Sequence, residues 1–474
     1  MPHCGELLRR AANVLEYDAP MKKKWRPLVR DSSGPKYLAL VEALEADLAH
    51  GALSAGDRLP SHRELGEMFG VTIATITKAM NEAARRGLVE ARVGSGTFIR
   101  ERRQEDRPTD AIDLSINILP TGIVANLLGE AVAQISSGRL CRNLFDYSSY
   151  ASSAQHRQLG AAWIAQFGTK VRPENLLLTN GVHQGLLAAF GALLASGETA
   201  VCEPLTYTGI KRIAEYRGIR LIGAECDEQG LIPDSVEREL CRSGAKLLVL
   251  TTAAQNPTTA TLSAQRRQAL AAICRKHDVW IAEDGVNIPL ANDGLPSIAA
   301  IAPERSIHLT GFSKCIASGF RLGYAAVPEP MFNRFHDALV STQWTGPGFY
   351  SELAAVMFAN GMIEQCISRH RAEATARFAL ARRILPGIRN ADCPSYHAWL
   401  PQSAGWSAED FSAQALRAGV RISPGSHFAT SAADLPCGYR LGLGACASRA
   451  ELTLALDRLA AIGNRSPIAY DTVT

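Results

Sequence analysis

Lys314 closes the run Gly311-Phe312-Ser313-Lys314, and Arg321 follows across the small-residue stretch Cys315-Ile316-Ala317-Ser318-Gly319. The apolar residues Ile307 and Leu309 precede them and read as the end of a strand. A lysine amine in a partly desolvated pocket can attack an aldehyde and form an imine. A nearby guanidinium suits phosphate better than a second lysine would, because its planar fork is always charged and donates in pairs. A surface lysine and arginine on an ordinary loop would read the same in two letters. Chemistry is favoured because other polar residues recur at the ends of apolar runs. Thr179-Asn180-Gly181-Val182-His183 joins a strand to a helix, and free amides at a helix start bind phosphate. Tyr207, Asn256 and Asp284 each follow a further apolar run. Arg440 lies in Gly438-Tyr439-Arg440-Leu441-Gly442, which by itself reads as a strand carrying a surface arginine.

These residues need a scaffold of alternating strands and helices. Strand candidates are 176–178, 200–202, 221–222, 247–250, 280–282 and 307–309, with helical stretches such as 184–194 and 265–276 between them. Such alternation predicts an α/β domain with a largely parallel sheet, whose ligands bind at the carboxyl ends of strands. Residues 378–385 read as helix and 397–401 as a strand of a small C-terminal lobe.

The first hundred residues have another pattern. Tyr37, Val41, Leu44 and Leu48 recur at helical spacing, and Gly51 ends that helix. Leu59-Pro60-Ser61-His62-Arg63-Glu64-Leu65 starts a second helix, with Ser61 and Glu64 as a reciprocal capping box. Met68 and Phe69 are expected to close it against the core. Thr72 caps a third helix with Ile76, Ala79, Met80 and Ala83 on its buried face and Thr75, Thr77, Lys78 and Asn81 on the other. Two short strands joined by Val93-Gly94-Ser95-Gly96 form a β-hairpin wing. This is a winged helix-turn-helix, whose third helix enters the major groove. Ser61, Thr72, Thr75, Thr77, Lys78 and Gly96 are its candidate DNA-binding residues. Arg63 and Arg92 are candidates for phosphate contacts, which set register without reading sequence.

The domains are expected at 34–100 for the DNA reader and 113–465 for the α/β unit. Residues 1–33 form an N-terminal extension, and 101–112 a charged, solvated linker. Across 474 residues the hydrophobic fraction of 47% and charged fraction of 20% are those of a globular protein. The net charge of +4 lies mostly in residues 1–107, pointing to a polyanion partner there. Eleven cysteines without a Cys-x-x-Cys pair argue against a disulfide framework or a metal site. No apolar run is long enough for a membrane span. A cytoplasmic location follows as the expectation.

Ser313-Lys314 through Arg321-Leu322-Gly323 resembles the Ser-x-Ser-Lys…Pro-Gly-x-Arg-x-Gly segment of fold-type I aminotransferases. Leu59-Pro60-Ser61-His62-Arg63-Glu64-Leu65 with Gly70-Val71-Thr72 resembles the GntR signature. Together, over nearly all the chain after Trp25, they resemble the MocR-type subfamily of GntR transcription regulators. The resemblance implies pyridoxal 5'-phosphate (PLP) on Lys314, and Asp284 at its ring nitrogen. It implies Asn256 at the phenolic oxygen and Tyr207 stacked on the ring. Ser313, Arg321, Gly181, Val182 and His183 would hold the phosphate, and Arg440 a ligand's α-carboxylate. Tyr150, with Tyr147 as the alternative, would reach a neighbouring subunit's phosphate. The implied protein is a homodimer that binds a DNA operator and senses PLP or a small amino-compound effector. Two alternatives stay open: an aminotransferase with an appended DNA tether, and a regulator whose chamber only dimerises. Three departures bear on catalysis. Asn287 replaces a tyrosine, Gly311 a serine and Ser318 a proline, so at most a residual aminotransferase half-reaction is expected.

Overall fold

The computed structural model describes residues 25, 35–49, 53, 57–85, 88–92, 96–99, 111–137, 154–389, 393–402, 406–431 and 438–463. Two compact units divide between Thr109 and Asp110.

In the first unit, helices α1 (Lys36–Ala49), α2 (His62–Phe69) and α3 (Ile73–Arg85) precede strands β1 (Val89–Arg92) and β2 (Gly96–Ile99). The spacing of Val41 and Leu44 puts both on one face of α1, where they are fully buried against Leu65 and Ile76. Burying each such side chain contributes roughly 1.5–3 kcal/mol. The capping box at α2 forms as expected: the Ser61 amide donates to Glu64 Oε2 at 2.8 Å, and the Glu64 amide to Ser61 Oγ at 3.3 Å. One expectation fails. Met68 is 38% exposed, because α2 turns only Leu65 and Gly66 fully inward, while Phe69 is half-buried. β1 and β2 pair antiparallel, Val89 opposite Ile99. Residues 57–59 add to this wing: Leu59 N–H donates to the Thr97 carbonyl at 2.9 Å, and Ile99 N–H to the Asp57 carbonyl at 2.8 Å.

The second unit is built on a seven-stranded sheet: β3 (Leu176–Thr179), β4 (Thr199–Cys202), β5 (Arg220–Gly223), β6 (Leu247–Leu250), β7 (Trp280–Asp284), β8 (Ser306–Gly311) and β9 (Gly323–Ala326), in spatial order β3-β9-β8-β7-β6-β4-β5. Every residue of β6 is buried, as a strand covered on both faces requires. All neighbours are parallel except β9, which runs antiparallel to β8 and β3. β9 was not among the expected strands, because Gly-Tyr-Ala-Ala has weak strand preference by itself. Helix α4 (Val182–Leu193) packs against α5 (Glu329–Thr342) on one side of the sheet. Helix α6 (Met362–Ile384) leads into a small lobe, where β10 (His397–Pro401), β11 (Ser423–Pro424) and β12 (Gly438–Gly442) form an antiparallel sheet in the order β10-β12-β11. Among the described residues no helix is long and apolar enough to cross a membrane.

Candidate functional site

The carboxyl ends of the central strands open into a cavity of about 400 Å³. Lys314, Asp284, Asn256, Tyr207, Arg321, Ser313, Val182, His183 and Arg440 all line it. Gly181 lies just behind, at the N-terminus of α4. Tyr150 and Tyr147 lie outside the described residues.

Lys314 follows β8, and its ammonium donates to the Asn117 carbonyl. Burial, with Arg440 and Arg321 pushing the same way and Asp284 opposing, lowers its pKa to about 8. Asp284 ends β7, and its Oδ1 accepts the Val286 amide at 3.1 Å. Burial raises its carboxyl to about 6, against that amide and the Lys314 charge. The pair is therefore a readily neutralised amine near a carboxyl that forms no ion pair among the described residues.

Arg321 donates to Ser313 Oγ at 3.1 Å and to the Asn180 carbonyl at 3.2 Å. Gly181, at a φ of +86°, lies so close that a Cβ there would sit 2.5 Å from the Arg321 guanidinium. Free amides of a helix start, a serine hydroxyl and an arginine thus form a cradle for an anion. The Tyr207 ring meets His183 edge-on, centroids 6.1 Å apart. Burial, then the Asp284 charge, raises the Tyr207 phenol. Burial and the Arg321 charge lower His183.

Arg440 on β12 donates to Asn256 Oδ1 at 3.0 Å and to the Ser115 carbonyl, and its guanidinium lies 4.8 Å over the Phe428 ring. Its Nε is buried without a hydrogen-bond partner among the described residues. Burial lowers Arg440 to about 10. A buried cation with an unused donor is suited to a carboxylate.

The departures have physical causes. A Cβ on Gly311 would come 2.8 Å from the Leu322 carbonyl, because β8 and β9 pair there. A serine does not fit in this backbone. Asn287 is buried and donates to the Ala254 carbonyl at 2.8 Å. Ser318 Oγ accepts the Leu119 amide at 3.0 Å.

Sequence reasoning missed residues 115–118, which form one wall of the cavity. This segment crosses the end of β12, where a side chain on Gly442 or Gly444 would run into the Ile116 or Ile118 carbonyl. The Gly-x-Gly spacing was the available signal. Thr251 was also missed; its amide donates to Glu203 at 2.7 Å.

In the first unit, Thr72 caps α3 through the Thr75 amide at 3.3 Å. Lys78 is exposed and lies 4.4 Å over the Tyr37 ring, and Thr75 is half-buried. The Thr77 hydroxyl is engaged with His62 Nδ1 at 3.3 Å, a contact that ties α3 to α2. Arg63 is exposed, 3.7 Å from Glu67, a surface pair of little energetic weight. Ser61 and Gly96 are exposed, and the Arg92 side chain lies outside the described set. Arg58, which the sequence reading passed over, is exposed, and its Nε would lie 3.1 Å from a Cβ on Gly96.

This combination defines a class: a winged-helix reader joined to an aminotransferase-type fold. The family model for aminotransferase class I and II matches residues 109–459, and that for bacterial regulatory proteins of the gntR family matches residues 36–99. The HTH-type transcriptional regulator YdeF of Bacillus subtilis is 27% identical over 412 residues, covering 85% of this chain and 89% of that protein. The HTH-type pyridoxine biosynthesis transcriptional regulator PdxR of Corynebacterium glutamicum is 29% identical over 61% of this chain and 66% of its own length. LysN, the alpha-aminoadipate aminotransferase of Thermus thermophilus, shares the fold with a TM-score of 0.68 at 22% identity, over 75% of this chain and 92% of that one. The chain belongs to the aminotransferase class I and II family and, with its gntR-type module in front, has the architecture of the MocR-type regulators.

Proposed function

We propose that the chain is a DNA-binding transcription regulator that holds PLP in the cavity at the strand ends and responds to PLP or to a small amino compound carrying a carboxylate. The observation that carries this reading is the convergence of Lys314, Asp284, Asn256, Arg321 and Arg440, from separate segments, on one cavity. The residues fit the cofactor. The anion cradle beside Gly181 suits a phosphate, and the Asp284 carboxyl suits a protonated ring nitrogen. When bound, PLP supplies an aldehyde that captures primary amines. Lys314 holds it through its amine. Ser313, Arg321 and the amides of Gly181, Val182 and His183 take the phosphate. Asn256, whose Oδ1 accepts from Arg440, would hold the phenolic oxygen through its amide nitrogen, and Tyr207 would hold the ring. Arg440 takes the effector's carboxylate, with its unpartnered Nε as a further donor.

The reader occupies about residues 34–100 and the sensor about 113–465, with 101–112 between them. A homodimer in the cytoplasm would present two readers to two half-sites of an operator. In each reader, Thr75 and Lys78 would face the bases, with Ser61, Arg63, Thr72, Arg92 and Gly96 nearer the backbone and Thr77 supporting α3 through His62. A ligand changes DNA affinity only by its preference between two arrangements. The test is a mobility-shift titration on DNA flanking the gene, with and without PLP, for wild type and Lys314→Ala. Lys314→Ala should bind DNA but no longer respond to PLP. A Lys314→Ala protein that keeps the full PLP response would refute the assignment. Sustained amino transfer on the order of 1 per second would replace the regulator by an enzyme.

A further inference from the structure

A second cavity, also of about 400 Å³, lies between the sheet domain and the small lobe. Glu203, Leu205, Cys226 and Leu231 come from the former, and Arg389 and Trp399 from the latter. Thr251 lines both cavities. Leu205, Trp399, Phe428 and Ala429 form one apolar cluster, and Phe428 carries Arg440 on its ring.

Most charges in this second cavity cancel locally. Asp227 is paired with Arg266, and Glu225 with Arg238 at 2.9 Å. The Gln255 amide donates to the Leu205 and Asn256 carbonyls. Arg389 is different. Its main-chain N–H donates to the Trp399 carbonyl at 2.9 Å, and among the described residues no carboxylate is in ion-pair contact with its guanidinium. Glu203 does not offset it. Each Glu203 oxygen accepts one internal bond, from the Thr251 amide and the Thr206 hydroxyl. Burial holds its carboxyl up at about 7, so near neutrality it is about half uncharged. Burial also raises the Cys226 thiol, which stays neutral. Arg389 thus shares this lining with Leu205, Leu231 and Trp399 and, among the described residues, is in no ion pair. The volume is within the range of small-molecule sites.

We propose that this cavity binds a second ligand, a small carboxylic acid with an apolar or aromatic body, its carboxylate on Arg389 and its body against Trp399, Leu205 and Leu231. Trp399 is the cross-strand partner of Arg440 in the β10–β12 ladder. An occupant that fixes Trp399 therefore acts on the strand that presents Arg440 to the first cavity. This regulatory consequence rests on the reading given above, whereas occupancy of the cavity does not.

The test is calorimetric titration of the full chain with benzoate and with benzamidine, which match in shape and oppose in charge. It is run with and without PLP and needs no DNA, so its failure is separate from failure of the regulator reading. Wild type should bind benzoate and not benzamidine. Arg389→Ala should weaken benzoate by about tenfold or more, the scale of a lost charge-assisted pair. Arg389→Glu should reverse the preference toward benzamidine, which also shows that the variant is folded. No benzoate binding by wild type at millimolar concentration would overturn the proposal. So would benzoate affinity that survives Arg389→Ala and is lost in Arg440→Ala, because the anion would then lie in the first cavity.

Discussion

Lys314 should capture PLP as a neutral amine, with a pH dependence set by its neighbours. With a pKa of about 8, roughly a quarter of the amine is neutral at pH 7.5, against roughly one part in a thousand for an ordinary lysine at ~10.4. The nucleophilic fraction is thus raised roughly two-hundredfold. Burial is the main cause; Arg440 adds to it and Asp284 opposes it. Two substitutions should therefore move the profile in opposite directions. Arg440→Leu removes a cation that disfavours the ammonium, so the midpoint moves alkaline and capture at pH 7.5 slows. Asp284→Asn removes an anion that favours the ammonium, so the midpoint moves acid. The assay mixes cofactor-free protein with PLP and follows the visible absorbance of the lysine-bound cofactor from pH 6 to 9. Wild type should rise through a midpoint near 8, and Lys314→Ala should give no such band. A flat wild-type profile, or both variants shifting the same way, would refute the reasoning.

Gly181→Ala should lower PLP affinity by about tenfold or more in an equilibrium titration, because its Cβ meets Arg321 at 2.5 Å from a backbone at φ +86° and positive φ strains an L-residue; unchanged affinity would remove the phosphate role. For Glu203, burial raises the folded pKa from 4.5 to about 7. The protonated carboxyl's contribution to stability is fully present below 4.5 and is lost as pH rises through 7. Glu203→Gln should not show that loss, and should gain roughly 3 kcal/mol relative to wild type between pH 4.5 and 8; a pH-independent difference in unfolding midpoint would contradict the burial. Arg63→Ala should weaken operator and unrelated DNA alike and reduce the salt slope by about 1, while changes at Thr75 or Lys78 should alter operator preference; equal loss of discrimination from all three would count against α3 as the reading helix.

The local elements were legible because short-range chemistry specifies them. Ser61 and Glu64 sit three residues apart, so their reciprocal caps form within one turn. Ile76, Ala79, Met80 and Ala83 share a face by helical period alone. The apolar runs of β6 and β7 read as strands because they are buried on both faces. The resemblance to fold-type I aminotransferases marked Lys314, Arg321, Asp284, Asn256 and Arg440 as candidates for one site.

The rest depends on contacts between residues far apart in the chain. β9 is a strand because β8 and β3 flank it; its own residues do not demand one. The partners of Lys314 and Arg440, the Asn117 and Ser115 carbonyls, come from a segment with no periodic signal, brought in where Gly442 and Gly444 leave room. Met68 is exposed because the orientation of α2 against its neighbours, rather than its own hydrophobicity, selects the buried face. Thus the order of letters determined the caps, the sheet strands other than β9, the DNA-reading module and the identity of the polar residues at the strand ends. Tertiary structure alone decided how far each polar residue is removed from water and which charges it faces. Desolvation and Coulomb interaction depend on three-dimensional distance, so only the folded chain brings Lys314 to about 8, Asp284 to about 6 and Glu203 to about 7.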